Sequence, residues 1–218
     1  MKPLSFDETN TFCISLENHP TRWEKMRNRF QICGLQVTRW PASTKDTLVD
    51  TFAHYLNDGQ KGCAQSHINI YRHMLQNDLP YAFILEDDAC FDLSFSERLE
   101  DCWRTIDDEN WDLIVLNGSE PIHPPFQWVL QTEQYLTAGY IISRKGATQI
   151  LNQYHDCFYS SDWMTTRLQL HGHSYGYFPW PIIQEGKDSN IGQQFEADHE
   201  KVLRCLGEIQ YSLQNYVI

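Results

Sequence analysis

The 218-residue sequence contains no apolar run approaching the roughly 18 residues that a membrane-spanning helix needs. Its opening, Met-Lys-Pro-Leu-Ser-Phe-Asp-Glu, has no apolar stretch of a secretory leader. A cytoplasmic protein is the expectation, with peripheral contact at a membrane surface left open. Lysine and arginine are scarce, 17 against 29 acidic residues, and the formal charge is −12. So acidic a chain is excluded as a binder of nucleic-acid polymers, which require clustered cations along the phosphates. It can still hold one nucleotide in a pocket, because a single divalent ion changes the local field more than distant carboxylates do. The seven cysteines, at 13, 33, 63, 90, 102, 157 and 205, form no CxxC or other zinc spacing and read as reduced, mostly buried thiols. There is no repeat and no low-complexity tract. With 41% hydrophobic and 13% aromatic residues, the composition is that of one globular unit with a substantial core.

The most informative stretch is Tyr81-Ala-Phe-Ile-Leu-Glu86-Asp87-Asp88. An uncharged apolar run predicts a fully buried strand, and three consecutive carboxylates follow at its end. Like charges beside apolar surface are expensive, which points to a compensating cation; oxygen ligands alone suit Mg²⁺ or Mn²⁺. An acidic helix start or a solvated turn is the competing reading. A second acidic trio, Asp107-Asp108-Glu109, follows a predicted helix and is assigned to solvent.

Around that stretch, elements alternate. Thr11–Leu16 reads as a strand, a helix follows from Pro20 to the stop at Gly34, and Gln36–Ala42 reads as a second strand. Arg22, one turn into that helix, either meets a phosphate or stays in water. Residues 43–61 read as a loop with some helix, of the kind that covers a site. A helix is predicted from Gly62, and its opening Gly62-Cys-Ala-Gln-Ser66-His67 is small and poor in charge. Such an opening suits a helix N-terminus near a phosphate or ribose, or close packing with His67 as a hydrogen-bonded core residue. An amphipathic helix is predicted over Leu93–Ile106, a strand over Trp111–Asn117, and short strands at Trp128–Leu130 and Tyr140–Ser143. Helices are predicted at Lys145–Tyr154 and from Ser160 to His171, then a strand at Ser174–Phe178. Asp162 is ambiguous between a cap and a catalytic carboxylate. The pair His171 and His173, split by Gly172, reads as a turn. An amphipathic helix marked by Val202, Leu206, Ile209 and Leu213 closes the chain. The fold class expected is α/β, a mixed sheet flanked by helices whose front half is of nucleotide-binding type. The division expected is an extension over 1–10, one catalytic domain over 11–194 and a C-terminal helix over 195–218.

In sequence order, Ile14-Ser-Leu16 with Arg22, Trp40-Pro-Ala42, Gly62-Cys-Ala-Gln-Ser-His67, Phe83-Ile-Leu-Glu-Asp-Asp88, Trp111-Asp112-Leu, Thr137-Ala-Gly-Tyr140 and Asp162-Trp-Met resemble the family 25 glycosyltransferases. That family includes bacterial lipooligosaccharide galactosyltransferases and collagen hydroxylysine galactosyltransferases, and the resemblance spans about residues 11–191. It implies a GT-A-type fold, a UDP-hexose donor (galactose favoured, glucose possible) and Mn²⁺ or Mg²⁺ at Glu86, Asp87 and Asp88. Asp88 is the first choice of direct ligand, with Glu86 direct or water-bridged. It further implies an inverting displacement with Asp162 as base and Asp112 in reserve. Ser15, Leu16, Arg22 and Ala42 would hold uridine and phosphate, joined by Ser66 and His67, with Gly139 admitting the sugar or acceptor. Gln184 and Ser189-Asn-Ile191 match the family's C-terminal segment, which closes over the donor or adds a metal contact. The acceptor expected is a lipooligosaccharide at the inner face of the cytoplasmic membrane; alternatives are a protein or other glycan acceptor, or an inactive sugar-nucleotide-binding domain.

Overall fold

The computed structural model of the chain describes residues 1–130, 133–186 and 194–218, with side-chain detail from His199 onward in the last segment. The first β-α-β unit comprises β1 (Thr11–Ser15), α1 (Pro20–Cys33) and β2 (Thr38–Pro41). Proline at the helix start and Gly34 in the left-handed region just past its end set the limits of α1. Next come α2 (Asp58–Gln76), β3 (Tyr81–Glu86), β4 (Ala89–Asp92), α3 (Phe95–Thr105) and β5 (Leu113–Val115). They are followed by β6 (Trp128–Leu130), β7 (Gly139–Ser143), α4 (Arg144–Tyr154), α5 (Ser161–His171) and β8 (Ser174–Tyr177). The chain closes with β9 (Ile182–Gln184), α6 (Gln194–Glu208) and β10 (Tyr216–Val217).

Seven strands form one mixed sheet in the order β2-β1-β3-β7-β5-β8-β6. The expected α/β class is therefore the class observed. β1 runs parallel to β2 and β3, β7 is antiparallel to both β3 and β5, and β8 is parallel to β5. The central strands are apolar throughout because both faces are covered. On β3, Phe83 and Leu85 enter a core with Met26 and Phe30 of α1 and Phe95 and Leu99 of α3. Ala82 and Ile84 enter the opposite core with Ile68 and Tyr71 of α2, Ile150 of α4 and Leu168 of α5. This period-2 alternation assigns each residue of one strand to one of two helix layers.

Three features depart from the sequence reading. A second small sheet, β10-β4-β9, stands beside the main one. It takes in β4, directly after the acidic triplet, and β9 and β10, for which no strand is predicted. Its cover is a third core containing Phe178, Trp180, Ile183, Val202, Leu206 and Tyr216. The C-terminal helix ends at Glu208, short of Leu213, because the chain then returns as β10 to pair with β4. Helix α2 also begins four residues ahead of the predicted Gly62. Asn57 accepts a hydrogen bond from Gln60 N–H, and the Gln60 side chain accepts from Asn57 N–H, a reciprocal cap that starts the helix at Asp58.

Candidate active site

The strand directions fix where a ligand can enter. β1 and β3 end together, β7 begins beside them, and β5 ends at the same edge. Open α/β sheets bind ligands at this carboxyl edge. A cleft of about 860 Å³ lies there. Ser15 and Leu16 line it from the end of β1, Arg22 from α1, Ala42 from the end of β2, and Glu86, Asp87 and Asp88 from the end of β3. Gln184 of β9 and Asp162 at the start of α5 complete the wall. Cys63, Ser66, Thr137, Glu120 and Lys201 line it as well.

The three carboxylates occupy different environments. Asp87 Oδ1 lies 2.7 Å from the Arg22 guanidinium, yet burial still outweighs that cation and leaves the Asp87 pKa above its ordinary value. Burial would raise Glu86 too, but hydrogen bonds from His67 and Thr137 prevail and hold its carboxyl below the usual range. Those contacts, His67 Nε2 at 3.2 Å and Thr137 Oγ at 2.6 Å, both fall on Oε1. Asp88 is only 7% exposed and its Oδ1 has no hydrogen-bond partner. Burial, then the charge of Glu86, pushes its pKa up to about 7. An unpartnered buried carboxylate oxygen is rare and costly in a folded protein. Excess negative charge and one oxygen left unsatisfied are what a divalent cation would find at Asp88, although among the described residues the ligand atoms that converge within 4.8 Å are those of Cys63, His67 and Glu86 and not those of the triplet.

The segment Gly62–His67 occupies the second and third turns of α2, so it is not the helix terminus that the sequence suggests; Asp58, Gly59 and Gln60 of the first turn face the cleft instead. Its small and polar residues anchor the 43–57 loop and the acidic strand end. A Cβ on Gly62 would lie 2.5 Å from the Ser43 carbonyl oxygen, so the close approach demands glycine. Ser66 accepts from Ser43 N–H at 2.8 Å and donates to Gly62 C=O at 2.7 Å, which commits its hydroxyl to the fold. Gln65 Oε1 accepts from the N–H groups of Val49 and Asp50. His67 is fully buried and bridges Glu86 and the Tyr140 hydroxyl, which lies 2.7 Å from Nδ1. His67 therefore meets the carboxylate and not the open cleft, a correction to its expected place beside the nucleotide.

Two further placements correct the sequence reading. Asp112 precedes β5 at the amino edge, opposite the cleft, and is 1% exposed. It accepts from His173 N–H at 2.8 Å and lies 3.0 Å from Lys145 Nζ, so as a reserve base it is in the wrong place. Gly139 does not face the cleft: a Cβ there would lie 2.4 Å from Ile182 Cδ1, so the small residue serves packing between the two sheets. Asp162 is partly exposed in the first turn of α5, where its Oδ1 accepts from Trp163 N–H at 2.8 Å. Ser189-Asn-Ile191 lies outside the described residues. Thr137 carried no role in the sequence reading; its hydroxyl bonds Glu86 Oε1, and its signal was its place in Thr-Ala-Gly-Tyr140.

Fold and cleft together define an α/β domain with an acidic, ligand-sized site at the carboxyl edge of its sheet. Its relatives are glycosyltransferases. The family model described as "Glycosyltransferase family 25 (LPS biosynthesis protein)" matches residues 8–124, more than half of the chain, and the chain belongs to that family. It is 28% identical over 180 residues to "Procollagen galactosyltransferase 1-A" of Xenopus laevis, covering 68% of this chain and 28% of that one. It is 30% identical over 175 residues to "Probable inactive glycosyltransferase 25 family member 3" of Bos taurus, covering 68% and 29%. The chain thus spans under a third of the length of these relatives. Among solved structures, a glycosyltransferase involved in glycosylation of the major capsid of PBCV-1 superposes with TM-score 0.44 at 8% identity. That superposition covers 88% of this chain and 97% of the other, and is too loose to carry an argument. Among the described residues, no helix is long and apolar enough to cross a membrane.

Proposed function

We propose that the chain transfers a hexose, galactose in the first instance, from a UDP-sugar to a glycan acceptor of lipooligosaccharide type, with inversion and with Mn²⁺ or Mg²⁺ bound at the acidic triplet. The observation that carries the metal is the buried, unpartnered Oδ1 of Asp88 at the cleft. Galactose is supported by the galactosyltransferase names among the relatives, and the acceptor class by the family's description as a lipopolysaccharide biosynthesis protein.

When bound, the cation supplies Lewis-acid stabilisation to the departing diphosphate. Asp88 is the first ligand, with Asp87 and Glu86 beside it. Ser15, Leu16 and Ala42 form the nucleotide side of the cleft, and Arg22 lines the same cleft while pairing with Asp87 of the triplet. Thr137 and His67 fix the Glu86 carboxylate and keep it ionised. Asp162 takes the proton of the acceptor hydroxyl as its oxygen bonds to the anomeric carbon, while the bond from that carbon to the diphosphate oxygen breaks and its electron pair leaves with UDP. The cleft position of Asp162, with one carboxylate oxygen engaged only by its own helix start, supports that role over Asp112.

The test is UDP release from UDP-galactose, UDP-glucose and UDP-N-acetylhexosamines, with Mn²⁺ or with EDTA. Metal-dependent release with a hexose donor is expected. Release unaffected by EDTA removes the metal. No release with any donor favours a second reading, a binding domain without turnover, which the bovine relative's "probable inactive" name brings into view.

A further inference from the structure

Cys63, His67 and Glu86 bring a thiol, an imidazole nitrogen and a carboxylate oxygen within 4.8 Å of one another. Cys63 and His67 lie one turn apart on α2 and share a face, and Glu86 ends the adjacent strand β3. Cys63 Sγ is 3.9 Å and His67 Nε2 is 3.2 Å from the same atom, Glu86 Oε1. A tetrahedral zinc ion with bonds of about 2.0–2.3 Å to such ligands holds them roughly 3.3–3.5 Å apart. The two distances to Glu86 Oε1 stand within a few tenths of an ångström of that spacing, and the third, between Cys63 and His67, lies within 4.8 Å. A mixed sulfur, nitrogen and oxygen set selects Zn²⁺ or Co²⁺ over the hard cations that suit Asp88.

We infer that Cys63, His67 and Glu86 form a three-ligand site for a soft divalent metal, Zn²⁺ above all, on the floor of the cleft. Cys63 and Glu86 both line the cleft, which gives an ion a path in and leaves a fourth position open to water. The surroundings are those of a ligating imidazole: Nδ1 meets the Tyr140 hydroxyl at 2.7 Å, and that hydroxyl meets Tyr71 at 2.5 Å. On binding, the thiol gives its proton to solvent. The imidazole then carries its proton on Nδ1, donated to Tyr140, while Nε2 takes the metal. The site is distinct from the hard-metal reading of Asp88 and shares only Glu86 with it, so zinc here withdraws Glu86 from the triplet and opposes transfer.

Binding can be read without any assay of transfer. Co²⁺ titrated into the reduced full chain should give visible bands of tetrahedral cobalt and a near-ultraviolet thiolate-to-cobalt charge-transfer band, both removed by Zn²⁺. Cys63→Ser should lose the charge-transfer band and bind Co²⁺ at least about tenfold more weakly, whereas Cys33→Ser should keep both. Thermal melting verifies that each variant is folded. If Cys63→Ser does not fold, alkylation of the native protein decides: Zn²⁺ should shield Cys63, but not Cys33, from iodoacetamide in mapped peptides. Absence of the charge-transfer band, its survival in folded Cys63→Ser, or full alkylation of Cys63 under Zn²⁺ overturns the site.

Discussion

Arg22 and Asp87 stand 2.7 Å apart at the mouth of the cleft, whereas the same guanidinium is 3.8 Å from Asp88, whose Oδ1 meets nothing. The protein thus neutralises the middle carboxylate of the triplet and leaves the third to be satisfied by something else. Asp88→Asn should abolish metal-dependent UDP binding, and Asp87→Asn should weaken it less; calorimetric titration of UDP with Mn²⁺ distinguishes the two.

The same Asp88 is a stability cost in the metal-free chain. Its folded pKa, about 7, lies above that of an unfolded aspartate, so the ionised form is disfavoured by folding at and above neutral pH. Asp88→Asn removes that charge without changing volume and should stabilise the metal-free protein by roughly 1–4 kcal/mol, read in denaturant melts with EDTA. A lower midpoint for the variant would contradict this.

Asp162 and Asp112 separate cleanly by substitution. Asp162→Asn should leave UDP binding intact and lower kcat by about 10²–10⁴. Asp112→Asn should leave the chemistry unchanged and cost about 1–3 kcal/mol through weakened acceptance from His173 N–H, because half-exposed Lys145 turns to water instead of being stranded. Near-normal transfer by Asp162→Asn sinks the assignment of the base.

Glu185, directly after β9 of the small sheet, binds Arg29 at 2.7 Å and Lys25 at 2.6 Å and so ties that sheet to α1. Burial alone would raise its pKa, but those partners outweigh burial and depress it. Its contribution is therefore full above the unfolded value, about 4.3, and is lost as pH falls through the folded value. Glu185→Gln leaves Arg29, 3% exposed, without its counter-charge and should cost about 3 kcal/mol at pH 7. The gap between wild type and variant in urea melts should close below about pH 4.

Gly62→Ala would set a methyl group against the Ser43 carbonyl. Backbone cannot yield as a side-chain tip can, so a loss of about 1–3 kcal/mol is expected. Donor affinity should fall with it, because the displaced 43–47 segment carries Ser43, Thr44 and Lys45 of the cleft wall. Unchanged melting with unchanged UDP affinity would show that the loop tolerates the shift.

The sequence by itself determined the central sheet, the helices against it and the edge where the acidic triplet lies. Those follow from local signals: apolar runs at strand length, a proline start and a glycine stop on α1, and carboxylates directly after β3. Tertiary structure decided which residues meet. Asp112 and Asp162 are alike as letters, and only strand direction puts one at the amino edge and the other in the cleft. Gly62, Ser66 and His67 were open between ligand contact and packing because small and polar residues serve both equally well; the bonds to Ser43 and Glu86 show the packing use, while Ser66 also lines the cleft. β9 and β10 were illegible because a two- or three-residue strand has no period of its own and exists only through pairing with β4. The cysteines show no zinc spacing along the chain, yet Cys63 and His67 share a helix face and face Glu86, a proximity set by the packing of α2 on β3.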